Sequence, residues 1–102
     1  MNYYIYILYS EASNIYYLGS TDNYTQRLTS HNNSERTTFT SKHRPWKLAA
    51  VFIAGKSRSN ALMLEKFIKK QKSKTLIKKL IDPNFIPYGK LEQLVRVPHM
   101  RN

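Results

Sequence analysis

The sequence predicts an α+β fold, within the broad α/β class, built as a small three-stranded antiparallel sheet flanked by helices. Three observations predict it. Tyr3 to Gly19 holds two runs of alternating aromatic and aliphatic residues separated by the polar Glu11-Ala12-Ser13-Asn14, the pattern of a β-hairpin. Trp46 to Ala54 is apolar and rich in strand-forming residues, and Gly55 closes it as a third, largely buried strand. Ala61, Leu64, Phe67 and Ile68 then fall on one stripe of a helix.

Taken in order, the first run sends Tyr4, Tyr6 and Leu8 to one face and Ile5, Ile7 and Tyr9 to the other, because side chains alternate along a strand. In the second run Ile15, Tyr17 and Gly19 share a face. Any antiparallel register whose paired numbers sum to an odd value puts Tyr6 and Tyr17 on the same side, and pairing Ser10 with Ser13 or with Ile15 satisfies that condition. Tyrosine and isoleucine are good strand residues in their own right, so the hairpin alone reads first as a packing unit.

Ser20 to Asn23 is a run of capping residues, and the residues from Tyr24 to His31 read as a short helix with Tyr24, Arg27, Leu28 and His31 on one face. Only the apolar pair of that face needs burial. Arg27 and His31 are either rim residues whose stems cover apolar surface or members of a site. Asn32 to Pro45 is polar and reads as a loop, in which Lys42, His43 and Arg44 set cations beside the stacking surface of Trp46.

Helices follow from Lys56 to Asp82, the first capped by Ser57 or Ser59, with a break at Gln71 to Ser73 and a second helix over Thr75 to Ile81. From Lys56 through Lys79 there are nine basic residues and one acid, Glu65. Glu65 lies about 40° from Ala61 around the helix, at the edge of the apolar stripe. An i,i+4 pair with Lys69 explains an isolated carboxylate, but not its place at the margin of the core. Pro83, Pro87, Gly89 and Pro98 punctuate the end of the chain, so residues 1–82 are expected to form the domain and 83–102 a loosely packed or partly disordered extension.

Charge is the strongest bulk signal. Among 102 residues, 17 Lys and Arg stand against 6 Asp and Glu, a formal net of +11, which suits contact with phosphate backbones, although a basic protein can also be merely soluble. The absence of cysteine excludes disulfides and thiolate metal sites and fits a cytoplasmic location. No run approaches the roughly 18 apolar residues of a membrane span, so no membrane association is expected.

Tyr4-Ile5-Tyr6 and Tyr17-Leu18-Gly19, followed by Gly19 to Asn23 leading into Arg27-Leu28 and His31-Asn32, and then Asn60-Ala61-Leu62 with Glu65 and Ile68-Lys69-Lys70, together resemble the GIY-YIG nuclease family, most closely its small single-domain bacterial type. The resemblance spans roughly residues 1–80, its weight coming from the order and spacing of the elements, and departs at Tyr4, where the family has glycine. It implies a metal-dependent DNA endonuclease, with Tyr6, Tyr17, Arg27, His31 and Glu65 as the site, and with Tyr6 as general base and Tyr17 completing its network, or the two tyrosines in exchanged roles.

One carboxylate is too few for a two-metal clamp but enough for a single Mg²⁺ or Mn²⁺ that keeps several waters, held by Glu65. Arg27 offers a permanent fork for phosphate oxygens. A tyrosine at its ordinary pKa of about 10 is a weak base, so Tyr6 and Tyr17 are expected to be shifted down by their neighbours. Lys42, Arg44, Lys66, Lys69 and Lys70 are the expected backbone contacts. The expected partner is DNA, structured or branched, with a protein partner to supply specificity. The alternative is a nucleic-acid-binding module of the same fold with little or no catalysis.

Overall fold

A computed structural model describes residues 1–33 and 39–98. Strands β1 (Tyr4–Ser10) and β2 (Ile15–Thr21) form the expected hairpin, and β3 (Trp46–Ile53) pairs with the other edge of β1. Ser10 pairs with Ile15, one of the two anticipated registers, which makes Tyr6 the direct partner of Gly19 and Leu8 that of Tyr17. A short β4 (Val95–Arg96) adds to β3, so the sheet has four strands in the order β2-β1-β3-β4 where three were expected.

Both faces of the sheet are covered. On one, Ile5, Ile7, Leu18, Ala50 and Phe52 pack against Ala61, Leu64 and Ile68 of α2 (Arg58–Lys70) and Leu80 of α3 (Lys74–Ile81). On the other, Tyr6, Leu8, Trp46 and Val51 are covered by Tyr24 and Leu28 of α1 (Tyr24–Asn33). Strict alternation would send Leu48 and Val51 to opposite sides. A bulge opposite Ile7 and Leu8 resets the phase of β3, which lets Trp46, Leu48 and Val51 share the α1 face.

The helices start where the sequence marks them. Asn23 Oδ1 accepts from the Gln26 amide, Ser57 Oγ from Asn60, and Ser73 Oγ from Leu76, so α3 begins at Lys74, one residue ahead of the expected start. Gly55, at φ +94, closes β3.

The end of the chain, expected as a loosely packed or partly disordered extension, is largely exposed but anchored at a few points. Leu91 and Leu94 are buried in the α2-side core, and the Arg96 guanidinium stacks 4.7 Å from the Phe52 ring while donating to the carbonyls of Leu80 and Asp82, whereas Ile86, Tyr88 and Val95 are exposed. Leu91, at the end of a single 3-10 turn (Gly89–Leu91), and Leu94 beyond it are too few to carry a periodic signal, which hid this packing. Of the loop expected over Asn32 to Pro45, Asn32 and Asn33 belong to α1 and Thr40–His43 form a short 3-10 helix, while residues 34–38, like 99–102 of the tail, lie outside the described residues. No helix among the described residues is long and apolar enough to cross a membrane.

Candidate active site

The strand register builds the first half of the site. Tyr6 points to the α1 face and is 1% exposed, and its ring crosses over Gly19, where even a Cβ would meet the phenol. Its hydroxyl reaches His31 Nε2 at 3.0 Å. The Tyr17 ring stands edge-on to the His31 imidazole, with centroids 4.9 Å apart, and 6.3 Å from the Tyr6 ring. Tyr4 packs edge-on against Tyr24 at 5.0 Å, filling space on this face with an aromatic ring at the position where the sequence departs from the family pattern.

His31 is 7% exposed and held from behind. Arg44 Nε donates to its carbonyl at 2.6 Å, and the Asn32 amide clasps the backbone of Trp46, accepting from its N–H at 2.6 Å and donating to its carbonyl at 3.0 Å. The end of α1 is thereby fixed to the start of β3. Arg44, expected as a backbone contact, thus has part of its donor capacity turned inward onto the site's own helix.

Electrostatics divide the roles. Burial lowers the His31 pKa, and the positive charges of Arg27 and Arg44 lower it further, so the imidazole is neutral at pH 7 and able to accept a proton. Burial raises Tyr6 above the ordinary phenol value; the Arg27 guanidinium pulls it down by hydrogen bonding and charge, while Tyr17 and Glu65 push it up. The expected downward shift of Tyr6 is therefore reversed. A side chain wedged between strand and helix loses more from desolvation than one arginine returns, and Tyr6 stays protonated.

Glu65 forms the second half, on the opposite face. Its carboxylate accepts from Ser20 Oγ at 2.5 Å and from Lys69 Nζ at 2.7 Å. Ser20 reaches it because residues of opposite parity in β2 face opposite sides, so Tyr17 looks toward α1 and Ser20 toward α2. Lys69 leans over the strand edge to within 5.8 Å of the Tyr17 ring centre and ties the halves together. The sequence named Tyr6, Tyr17, Arg27, His31 and Glu65, and the fold brings them around this one edge. Lys42, Lys66 and Lys70 stand exposed and make no ion pair among the described residues.

Ser20, Asn32 and Gly19 were not singled out for these roles. Only Gly19 carried a signal, its place opposite Tyr6 once the register is chosen.

Glu65 fits a hard divalent ion: a carboxylate with a hydroxyl beside it, its side chain 16% exposed. No group of three or more His, Asp or Glu side chains converges among the described residues, so such an ion would keep most of its waters.

The description of the GIY-YIG catalytic domain matches residues 2–80. No curated protein matches the chain. Among solved structures, the chain is similar to the solution NMR structure of the UPF0213 protein BH0048 from Bacillus halodurans, with 26% identity over 91% of this chain and 93% of that one and a TM-score of 0.49.

Proposed function

Because the chain belongs to the GIY-YIG catalytic-domain family, whose members are generally nucleases, we propose that it is a metal-dependent DNA endonuclease that hydrolyses phosphodiester bonds with a tyrosine-assisted water. The observation that carries the reading is the buried hydrogen bond between the Tyr6 hydroxyl and the neutral His31 imidazole. A protonated phenol is no base by itself. With the ring proton on Nδ1, His31 Nε2 takes the Tyr6 proton as the Tyr6 oxygen takes one from the attacking water. The phenol then relays the proton, and Tyr6 never has to persist as a buried phenolate.

Arg27, with Tyr6 within its field, holds the phosphate oxygens and offsets their growing charge in the transition state. Tyr17 packs against His31 and keeps its ring facing Tyr6. Glu65, oriented by Ser20, would hold one Mg²⁺ or Mn²⁺, which supplies a more acidic water and neutralisation of the leaving oxygen. Lys42, Lys66 and Lys70 contact the nucleic-acid backbone as exposed cations.

The test is cleavage of labelled duplex, flapped, branched and single-stranded DNA with Mg²⁺ or Mn²⁺. Glu65→Ala and Arg27→Ala variants that fold should lose nicking, and undiminished cleavage by either removes the reading. The occupied state of Glu65, bonded on both oxygens within the chain, favours one second reading: a nucleic-acid-binding module with little catalysis. Tight, salt-sensitive binding without cleavage across metals and substrates would select it.

A further inference from the structure

Where the end of β2 meets the first turns of α1 and α2 there is a cavity of about 380 Å³. Arg27 of α1 and Arg58 of α2 both line it, together with Ser20, Thr21, Asp22 and Tyr3. Neither arginine forms an ion pair among the described residues, and both are exposed. Two guanidinium groups from separate helices therefore share one concavity with no carboxylate partner at contact distance. Like charges brought together repel, so the arrangement gains from an anion between them. Ser20, whose hydroxyl donates to Glu65, forms the wall between this cavity and the site described above.

The chemistry selects the anion. Arginine's planar fork matches phosphate oxygens bidentately, and the hydroxyls of Ser20 and Thr21 add polar contacts on the same wall. Asp22 also lines the cavity, so its walls carry two positive charges and one negative. That balance is neutralised by the single charge of a backbone phosphodiester, whereas a doubly charged terminal phosphate would leave one negative charge uncompensated beside Asp22. Tyr3 supplies an aromatic surface at which a sugar or base edge can rest.

We propose that this cavity is a second phosphate subsite, which receives the DNA backbone phosphodiester neighbouring the one that is cleaved, with Arg58 as its anchoring residue. Arg27 stands between the two phosphates, near Tyr6 on one side and in the cavity wall on the other. The proposal deepens the nuclease reading and rests on it for the position of the cleaved bond. Arg58 touches substrate away from the reacting atoms, so it contributes to binding equally in the ground and transition states.

The experiment uses the full chain with Arg58→Ala, Arg58→Lys and, as a control of equal charge change, Lys47→Ala, whose amine pairs with Glu11 elsewhere on the surface. Binding of a fluorescent DNA oligonucleotide is followed by anisotropy across a salt series, and cleavage is measured at varied substrate concentration. Arg58→Ala should weaken binding about 5- to 10-fold near 0.1 M salt, reduce the slope of log affinity against log salt by about one, and raise KM while leaving kcat in place. Arg58→Lys should recover the salt slope and part of the affinity.

Loss no greater than that of Lys47→Ala, or a fall in kcat at unchanged KM, would overturn the subsite. Failure of the nuclease reading looks different. A chain that never cleaves, yet loses affinity and salt slope on Arg58→Ala, retains the phosphate subsite and loses the reaction.

Discussion

Gly19→Ala tests the packing on which the site depends. Tyr6 and Gly19 are direct partners across the hairpin, and a Cβ at position 19 would lie 2.6 Å from Tyr6 Cζ and 2.9 Å from Cε1, with the hydroxyl closer still. Ordinary carbon contacts lie near 3.5–4.0 Å, so the ring must retreat by roughly 1 Å. It has nowhere to go, being 1% exposed, flanked by Tyr17 and tied to His31. Overpacking of this kind costs about 1–3 kcal/mol, of which alanine's lower conformational entropy returns about 0.5–1. The net of about 1–2 kcal/mol should lower Tm by about 4–15 °C in a domain of this size, read by calorimetry. Because the displaced ring no longer reaches His31, cleavage by the folded fraction should fall about 100-fold. Adding Tyr6→Phe removes only the closest contact, so the stability penalty of Gly19→Ala should shrink without vanishing. A Gly19→Ala protein that melts within about 2 °C of the parent and cleaves normally would refute the reasoning.

Three further outcomes follow from the same geometry. His31 is lowered on folding from an ordinary value of about 6.5, so the unfolded chain takes the proton first; the stability associated with neutral His31 is complete above that value and is lost as pH falls through the folded one. Between about pH 7.5 and 5.5 the parent should therefore lose more Tm than His31→Gln, and equal losses would contradict the assignment. Lys69 occupies Glu65 as a resident cation through a half-exposed i,i+4 pair worth about 0.5 kcal/mol, so Lys69→Met should tighten Mn²⁺ binding about 2-fold by electron paramagnetic resonance, with Glu65→Gln as the null control. Unchanged or weaker binding in Lys69→Met would show that the amine does not compete. Truncation after Tyr88 uncovers Phe52 and removes buried Leu91 and Leu94, and should cost about 3–5 kcal/mol in chemical denaturation. An unaltered midpoint would show that the tail is not part of the core.

What could be read before the fold was known follows from the range of each interaction. The hairpin, β3 and the two C-terminal helices are written in local periodicity, and the caps at Asn23, Ser57 and Ser73 sit beside the segments that they start. Tyr6 and Tyr17 share a face by parity alone. The bulge in β3 and the pairing of β4 depend on contacts across some forty residues and leave no local pattern. The direction of the Tyr6 pKa escapes the sequence for a related reason. Neighbouring charges can be guessed from motif order, whereas the depth of burial is set by α1 closing over the sheet, and burial is the larger effect here. Ser20 read as a capping residue because nothing near it in sequence points to Glu65, forty-five positions away.

The position of β2 at the sheet edge explains how the Glu65 carboxylate and the Tyr6–Tyr17 pair come close enough to serve one phosphate in the proposed reaction. Tyr17 and Ser20 are three residues apart and so face opposite sides, which in a central strand would separate their partners by the thickness of the sheet. At an edge no further strand intervenes. Lys69 can lean across from α2 to the Tyr17 ring, and the charge of Glu65 is felt at Tyr6 although the two side chains belong to opposite layers. Edge strands expose unpaired backbone groups and invite further strands, a hazard usually countered with charge. Here Lys69, Lys72 and Lys74 line the groove beside Tyr16 and Tyr17, so the cations that discourage a neighbouring strand also present a positive approach to a phosphate backbone. In the proposed nuclease, protection of the edge and recruitment of substrate would thus be met by the same side chains, and the candidate site lies where the sheet would otherwise be most vulnerable.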